Sequence, residues 1–246
     1  MTTGKLAVIG LGPGGKLDMT RRAYEALKAC DLIVGYTVYI DLIKEEFNDK
    51  ELATTPMRKE IERCELALEE ASKGKHVAMV CSGDPGVYGM AGLVLELASQ
   101  FPDVEVEIIA GVSASNGGAA VLGAPLMHDY CVISLSDLLT PFETIEKRLR
   151  AAVEADFVIS LYNPSSHKRP DYLKRACEIM LDAGKAPETV CATVSNIGRV
   201  GQTRKTYTLE ELRDADVDMF TTVFIGNSSS RIIDGNMVTP RGYAVN

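Results

Sequence analysis

Lys5-Leu6-Ala7-Val8-Ile9 runs into Gly10-Leu11-Gly12-Pro13-Gly14-Gly15, and an amphipathic stretch over 20–30 follows. An apolar run rich in Val and Ile, a glycine turn and then a helical period make the opening of a βα unit. The pattern repeats along the chain. Apolar runs lie at 31–34, 76–81, 104–109, 131–135, 157–161, 189–194 and 221–225, with helical patterns at 58–72, 87–99, 143–152, 172–183 and 209–213. This alternation predicts an α/β fold. The near-continuous apolar runs predict strands covered on both faces. In the segment 58–72, Ile61, Cys64, Leu68 and Ala71 fall on one helical face, which is the predicted core face.

Composition changes between 110 and 130, where Gly111-Val112-Ser113-Ala114-Ser115-Asn116-Gly117-Gly118-Ala119-Ala120 is followed by Gly123-Ala124-Pro125. We place a domain boundary near residue 125, giving an N-terminal α/β domain over 1–125 and a C-terminal α/β domain over 126–246. Near the end of the chain, Asp234-Gly235-Asn236 predicts a hairpin turn.

The 246 residues carry 26 Lys+Arg against 34 Asp+Glu, a net charge of −8. Without a basic block the chain lacks the footprint for a nucleic-acid partner. No apolar run approaches the roughly 20 residues of a membrane helix, and no targeting segment precedes the first strand, so a cytoplasmic protein is expected. The six cysteines, Cys30, Cys64, Cys81, Cys131, Cys177 and Cys191, form no close pair. They read as small buried hydrophobes and not as a disulfide framework or metal cluster. The three histidines, His76, His128 and His167, are equally scattered, and no protein-bound metal is expected.

The first glycine turn matches G-x-G-x-x-G literally, which raises a nicotinamide-dependent oxidoreductase as an alternative. Such a site needs the helix to open at once, so that its amides face a pyrophosphate. Here Pro13 removes one amide, the helix is predicted to start only near Met19-Thr20, and Gly35-Tyr36 stands where a ribose-binding acid would end the second strand. A second loop, Ser82-Gly83-Asp84-Pro85-Gly86-Val87-Tyr88-Gly89, leaves the strand over 76–81 where open α/β sheets bind ligands. Its plainer reading is a turn in which Asp84 caps a helix.

In order and spacing, Gly10-Leu11-Gly12-Pro13-Gly14, Ser82-Gly83-Asp84-Pro85 and Gly111-Val112-Ser113-Ala114-Ser115 resemble the tetrapyrrole methylases. That resemblance implies two α/β domains in tandem with the ligand cleft between them, and S-adenosyl-L-methionine as methyl donor and co-substrate. Met57-Arg58-Lys59-Glu60-Ile61-Glu62-Arg63-Cys64, the segments 88–96, 122–130 and 133–141, Tyr162-Asn163-Pro164, and Thr239-Pro240-Arg241-Gly242-Tyr243 are similar to one branch of the family. That branch methylates C17 of precorrin-3B or cobalt-precorrin-3, with ring contraction, in cobalamin (corrin ring) biosynthesis. The nearest alternative is a precorrin methylase of different regiochemistry. A tetrapyrrole partner, with or without cobalt, and a homodimer are further implications.

By the same resemblance, Pro13, Ser82, Gly83, Asp84, Val87, Ser113 and Ala114 are the donor-site residues, with Leu161, Asn196, Ile197 and Gly226 as looser counterparts in the second domain. Tyr36 occupies the position of an aspartate proposed as base in a uroporphyrinogen methylase, so that base is not carried over. Ring contraction moves protons, and His128 and Asp129, just past the linker, are the candidate acid and base. The candidates for the substrate's carboxylates and rim are Ser134, Asp137 and Thr140 in one loop, and Lys168, Arg169 and Arg199, with Arg204, Lys205 and Arg231 as further basic residues. For each the plainer reading is structural: a linker hydrogen bond, a capped loop, a solvated charge.

Overall fold

The computed structural model describes residues 4–244 and divides into two compact units, Met1–Ala114 and Ser115–Asn246. In chain order the first holds β1 (Gly4–Gly10), α1 (Arg21–Ala29), β2 (Leu32–Tyr36), α2 (Thr37–Asp41), β3 (Glu51–Thr55), α3 (Glu60–Ser72), β4 (His76–Cys81), α4 (Ala91–Ala98) and β5 (Val104–Ile109). Its sheet has the order β3-β2-β4-β1-β5, and every neighbouring pair is parallel. All five carboxyl ends therefore share one edge.

Period-two alternation puts Leu6 and Val8, Leu32 and Val34, and Val77 and Met79 on the face packed by Cys64, Ala67, Leu68 and Ala71 of α3. Ile9, Ile33, Ala78 and Val80 face the other way, onto Ala23 and Leu27 of α1 and onto Ile40 and Phe47. The first sheet is thus covered on both faces, as expected of a parallel sheet. Three details differ from the pattern reading. Ile61 is 56% exposed, and the inward place beside Cys64 is taken by Arg63, 5% exposed. Helix α4 starts at Ala91 because Tyr88 has a left-handed φ of 55° and Gly89 sits against the Pro85 carbonyl, which ends any helix running on from Val87. Strand β3, half-exposed at the sheet edge, has no apolar run to announce it.

The second unit contains α5 (Ala114–Leu122, from its second residue), β6 (Gly123–Ala124), β7 (Tyr130–Ser134), α6 (Phe142–Glu154), β8 (Val158–Tyr162), α7 (Tyr172–Asp182), β9 (Val190–Ser195), β10 (Thr203–Thr208), α8 (Leu209–Leu212), β11 (Thr221–Ile225), β12 (Arg231–Ile233) and β13 (Asn236–Val238). The larger sheet, β10-β9-β11-β8-β7, is mixed: β7 and β8 are parallel, and the other pairs are antiparallel. Strands β8 and β9 flank β11, so the carboxyl ends of β7, β8 and β9 lie on one edge. One face packs on Ile145 and Leu149 of α6 and Leu173, Ala176 and Met180 of α7. The other carries Phe224 under α5. Strands β12 and β13 form a hairpin through Asp234 (φ 48°) and Gly235 (φ 74°), as the sequence predicts, and β13 pairs with β6.

The glycine-rich stretch expected to end the first domain is largely helix. A Cβ on Gly118 would lie 2.8 Å from the Phe224 ring and 3.1 Å from Ile197. Small residues there serve close packing of α5 within the second unit, and the division falls between Ala114 and Ser115, not near 125. Gly118→Val overfills that contact. We expect a loss of roughly 1–3 kcal/mol, read as a thermal midpoint several degrees below wild type; an unchanged midpoint would show that the ring has room to move.

Candidate functional site

Three loops leaving the carboxyl ends of β1, β4 and β5 meet backbone to backbone. The Gly12 and Gly83 peptides exchange hydrogen bonds of 3.1 and 2.8 Å. A Cβ on Gly10 would lie 2.5 Å from the Gly83 carbonyl oxygen, and one on Gly111 only 2.1 Å from it. Asp84 locks the junction: Oδ1 accepts the Gly86 N–H at 2.8 Å and Oδ2 accepts the Gly111 N–H at 3.0 Å. The carboxylate therefore caps no helix. It ties the loop after β4 to the loop after β5.

Helix α1 starts late. Its N-cap is Thr20, whose Oγ1 accepts the Ala23 N–H at 3.2 Å, so the glycine turn is followed by one short 3-10 turn, Lys16–Asp18, and presents no α-helix N-terminus to a pyrophosphate. The predicted donor residues of the first unit do come together at this junction. A Cβ on Gly83 would lie 3.7 Å from the Ala114 nitrogen and 3.8 Å from the Ser113 Cα. Pro13 follows Gly12, Ser82 and Asp84 flank Gly83, and Val87 donates its N–H to the Asp84 carbonyl at 3.2 Å.

In the second unit the predicted residues divide between two ends of the sheet. Leu161 is the penultimate residue of β8, fully buried in the core. Asn196 (φ 51°) and Ile197 follow β9 on the same edge. Gly226 lies at the other end, since Ile225 of β11 pairs with Cys191 at the start of β9 and the Gly226 N–H bonds the Val190 carbonyl at 2.8 Å. Its glycine has a packing reason, as a Cβ would meet the Ser230 Cβ at 2.5 Å. His128 and Asp129 precede β7 at that same far end. Their side chains are 48% and 82% exposed, and His128 Nδ1 accepts the Asp129 N–H at 3.0 Å. Strand β7, which advances about 3.3 Å per residue, starts beside this pair and carries Ser134 at its opposite end, before the loop beyond.

The loops on the shared carboxyl edge form a polar cluster. Ser134 Oγ accepts from Asn163 Nδ2 at 2.9 Å and from the Ser136 N–H at 3.2 Å. Asp137 accepts from the Tyr172 hydroxyl and pairs with Arg169 Nε at 2.5 Å. The Tyr172 hydroxyl, and then the Arg169 charge, hold the Asp137 carboxyl below its ordinary range against the opposing effect of burial. Burial first, and the Asp137 hydrogen bond next, push the Tyr172 hydroxyl up. Thr140 is half-buried in the same loop, Lys168 is exposed at a turn closed by Ser166 and Arg169, and the Arg199 guanidinium lies 5.9 Å from the Phe220 ring. Two predicted substrate cations are engaged internally: Arg169 by Asp137, and Arg204 by the Val121 carbonyl at 2.8 Å. The pattern reading missed Tyr162, whose hydroxyl accepts the Ser115 N–H at 2.8 Å, and Asn163, held at φ 53°.

The model of the family described as Tetrapyrrole (Corrin/Porphyrin) Methylases matches residues 5–213. This chain is a tetrapyrrole methylase. It is 50% identical to the probable cobalt-factor III C(17)-methyltransferase of Salmonella typhimurium over 98% of this chain and 100% of that one. It is 41% identical to a precorrin-3B C(17)-methyltransferase of Sinorhizobium sp over 98% of each chain. The crystal structure of the methyltransferase CobJ superposes with a TM-score of 0.89 at 38% identity, covering 96% of this chain and 100% of that one.

In this tetrapyrrole methylase, no group of His, Cys, Asp or Glu among the described residues could hold a metal ion, and no helix among them is long and apolar enough to cross a membrane. All six cysteines are unpaired, and burial raises every thiol, those of Cys64 and Cys177 to about 12. The Asp137 cluster sets a pH dependence. A carboxyl depressed in the folded state contributes stability above its unfolded value, near 4, and loses it as pH falls through the folded value. Urea unfolding should therefore show Asp137→Asn less stable than wild type at pH 7, with the gap closing below about pH 4. A gap constant from pH 7 to 3 would place the effect elsewhere.

Proposed function

We propose that this chain transfers a methyl group from S-adenosyl-L-methionine to C17 of a precorrin-3B or cobalt-factor III type macrocycle, with contraction of the ring. What carries the reading is the convergence of Pro13, Ser82, Gly83, Asp84, Val87, Ser113 and Ala114 on one sheet edge, in a chain 50% identical, over 98% of its length, to a probable cobalt-factor III C(17)-methyltransferase. At Gly10 and Gly111 the missing Cβ lets the three loops close backbone to backbone, which sets the position of the main chain along the edge proposed for the donor. The donor supplies an already activated methyl on a sulfonium, so no enzyme nucleophile is needed. The protonated thiols accord with that.

The work left to the chain is positioning and exclusion of water, effects that reach roughly 7–11 kcal/mol when reacting atoms are held at near-attack distance. Asp84 acts here as a positioning residue, because both of its oxygens are bound to main-chain N–H groups. Leu161, Asn196 and Ile197 are proposed as second-unit contacts for the donor, and Gly226 is left out for the packing reason given above. Ser134, Thr140, Lys168 and Arg199 are proposed as contacts for the acceptor, and the Asp137–Arg169 pair braces the loop that carries Thr140.

Incubation with methyl-labelled donor and enzymatically prepared precorrin-3B or cobalt-factor III should yield one label per product, on C17 by NMR. Label on another carbon would make the chain a precorrin methylase of different regiochemistry, and no transfer would leave only a tetrapyrrole carrier. His128→Ala is expected to keep methyl transfer and ring contraction within about twofold, given the exposed and locally bonded imidazole. A tenfold fall in contraction alone, about 1.4 kcal/mol, would return this histidine to the mechanism.

A further inference from the structure

Arg63 is a buried cation with no ion-pair partner among the described residues. It projects from α3, is 5% exposed, and donates from Nε to Thr55 Oγ1 at 2.7 Å, from Nη2 to the Pro56 carbonyl at 3.1 Å and from Nη1 to Met90 Sδ at 3.9 Å, with the Tyr36 ring 5.9 Å away. Each of these partners is neutral, and three hydrogen bonds leave two of the five guanidinium N–H groups unassigned. Burying a charge without a counter-charge costs several kcal/mol.

The location is specific. Tyr36 ends β2, Thr55 ends β3, and Met90 closes the loop that leaves β4 through Ser82, Gly83 and Asp84. The carboxyl edge of the first sheet thus divides: the donor residues occupy the ends of β1, β4 and β5, and Arg63 occupies the ends of β2 and β3. Two non-glycine residues adjoin its partners in left-handed backbone, Arg58 (φ 66°) two residues after Pro56 and Tyr88 (φ 55°) two before Met90. Such conformations persist only where their surroundings enforce them, and they concentrate at ligand sites. Met57 and Tyr88, in those same turns, are 46% and 55% exposed.

We infer that Arg63 is the counter-charge for a carboxylate of the acceptor macrocycle, so that the ends of β2 and β3 receive one acid-bearing edge of the ring beside the donor site. An apolar rim over an unpaired cation suits a flat ring with acidic side chains. Thr55, Pro56 and Met90 hold the guanidinium, and the arriving carboxylate takes its remaining N–H groups. The inference rests on the tetrapyrrole substrate proposed above, and its test separates the two.

The full chain is titrated with uroporphyrin, a flat octacarboxylate ring, by fluorescence quenching and with S-adenosylhomocysteine by calorimetry, as wild type, Arg63→Met and Arg63→Lys. Arg63→Met should raise the uroporphyrin Kd at least tenfold and Arg63→Lys by much less, with S-adenosylhomocysteine affinity within twofold in both. The thermal midpoint of free Arg63→Met should equal or exceed that of wild type, because the uncompensated charge is gone. If the methionine variant does not fold, Arg63→Gln, which keeps a donor for Pro56, carries the same comparison. Unchanged uroporphyrin binding in the folded variant overturns the inference alone. So does a lowered midpoint with both ligands weakened equally, which would make Arg63 a structural latch. Failure of wild type to bind uroporphyrin overturns the inference together with the substrate class on which it stands.

Discussion

A single carboxylate, that of Asp84, decides where the loops of the first sheet can go. Strands β1, β4 and β5 run parallel and side by side, so the chain leaves all three at one edge, and the turns there crowd to contacts that no Cβ would survive at Gly10 or Gly111. Asp84 fixes their mutual position by accepting the Gly86 and Gly111 N–H groups. Hydrogen bonds to a charged group contribute about 1.5–3 kcal/mol each, enough to hold two loops in one register. Ser113 and Ala114 follow directly from that anchorage, as does the start of α5. A ligand at this edge meets main chain whose position is set before it arrives.

Electrostatics then distinguish positions that the net charge of −8 leaves undistinguished. By sequence, positive charge for a polycarboxylate is concentrated in the basic loops of the second unit. There, however, Arg169 is neutralised by Asp137 and Arg204 is bound to the Val121 carbonyl, so their charges and donors are partly consumed within the fold. Arg63 is the reverse case, a cation buried among neutral groups. Its hydrogen bonds offset part of the cost of burial and a counter-charge would offset the rest, which makes burial a more telling property here than the number of arginines in a loop.

The sequence made the first sheet readable because strands covered on both faces must be apolar on alternate positions of both kinds, and its strands β1, β2 and β4 are. The late start of α1 was equally legible, since Pro13 and Thr20 each carry a local physical meaning. Properties set by distant residues were not. Helix α5 was hidden because Gly117-Gly118 reads as a break, whereas contact with Phe224 demands small side chains. Strand β10, Thr203–Thr208, is a polar edge without an apolar run. The mixed direction of the second sheet leaves no mark on hydrophobic period. Within the site, the tie of Asp84 to the Gly111 N–H spans 27 positions and the pairing of Asp137 with Arg169 spans 32, so neither shows in a local pattern, and helical periodicity points to Ile61 where Arg63 is the buried residue.

The most direct measurement is calorimetric titration of Asp84→Ala with S-adenosylhomocysteine beside wild type, on protein shown to be folded. If the carboxylate sets the donor site by holding the loops after β4 and β5 together, affinity falls at least tenfold, about 1.4 kcal/mol, although Asp84 has no oxygen free of main-chain partners. Affinity unchanged in the folded variant would contradict this, and would mean that the glycine junction keeps its form without the carboxylate.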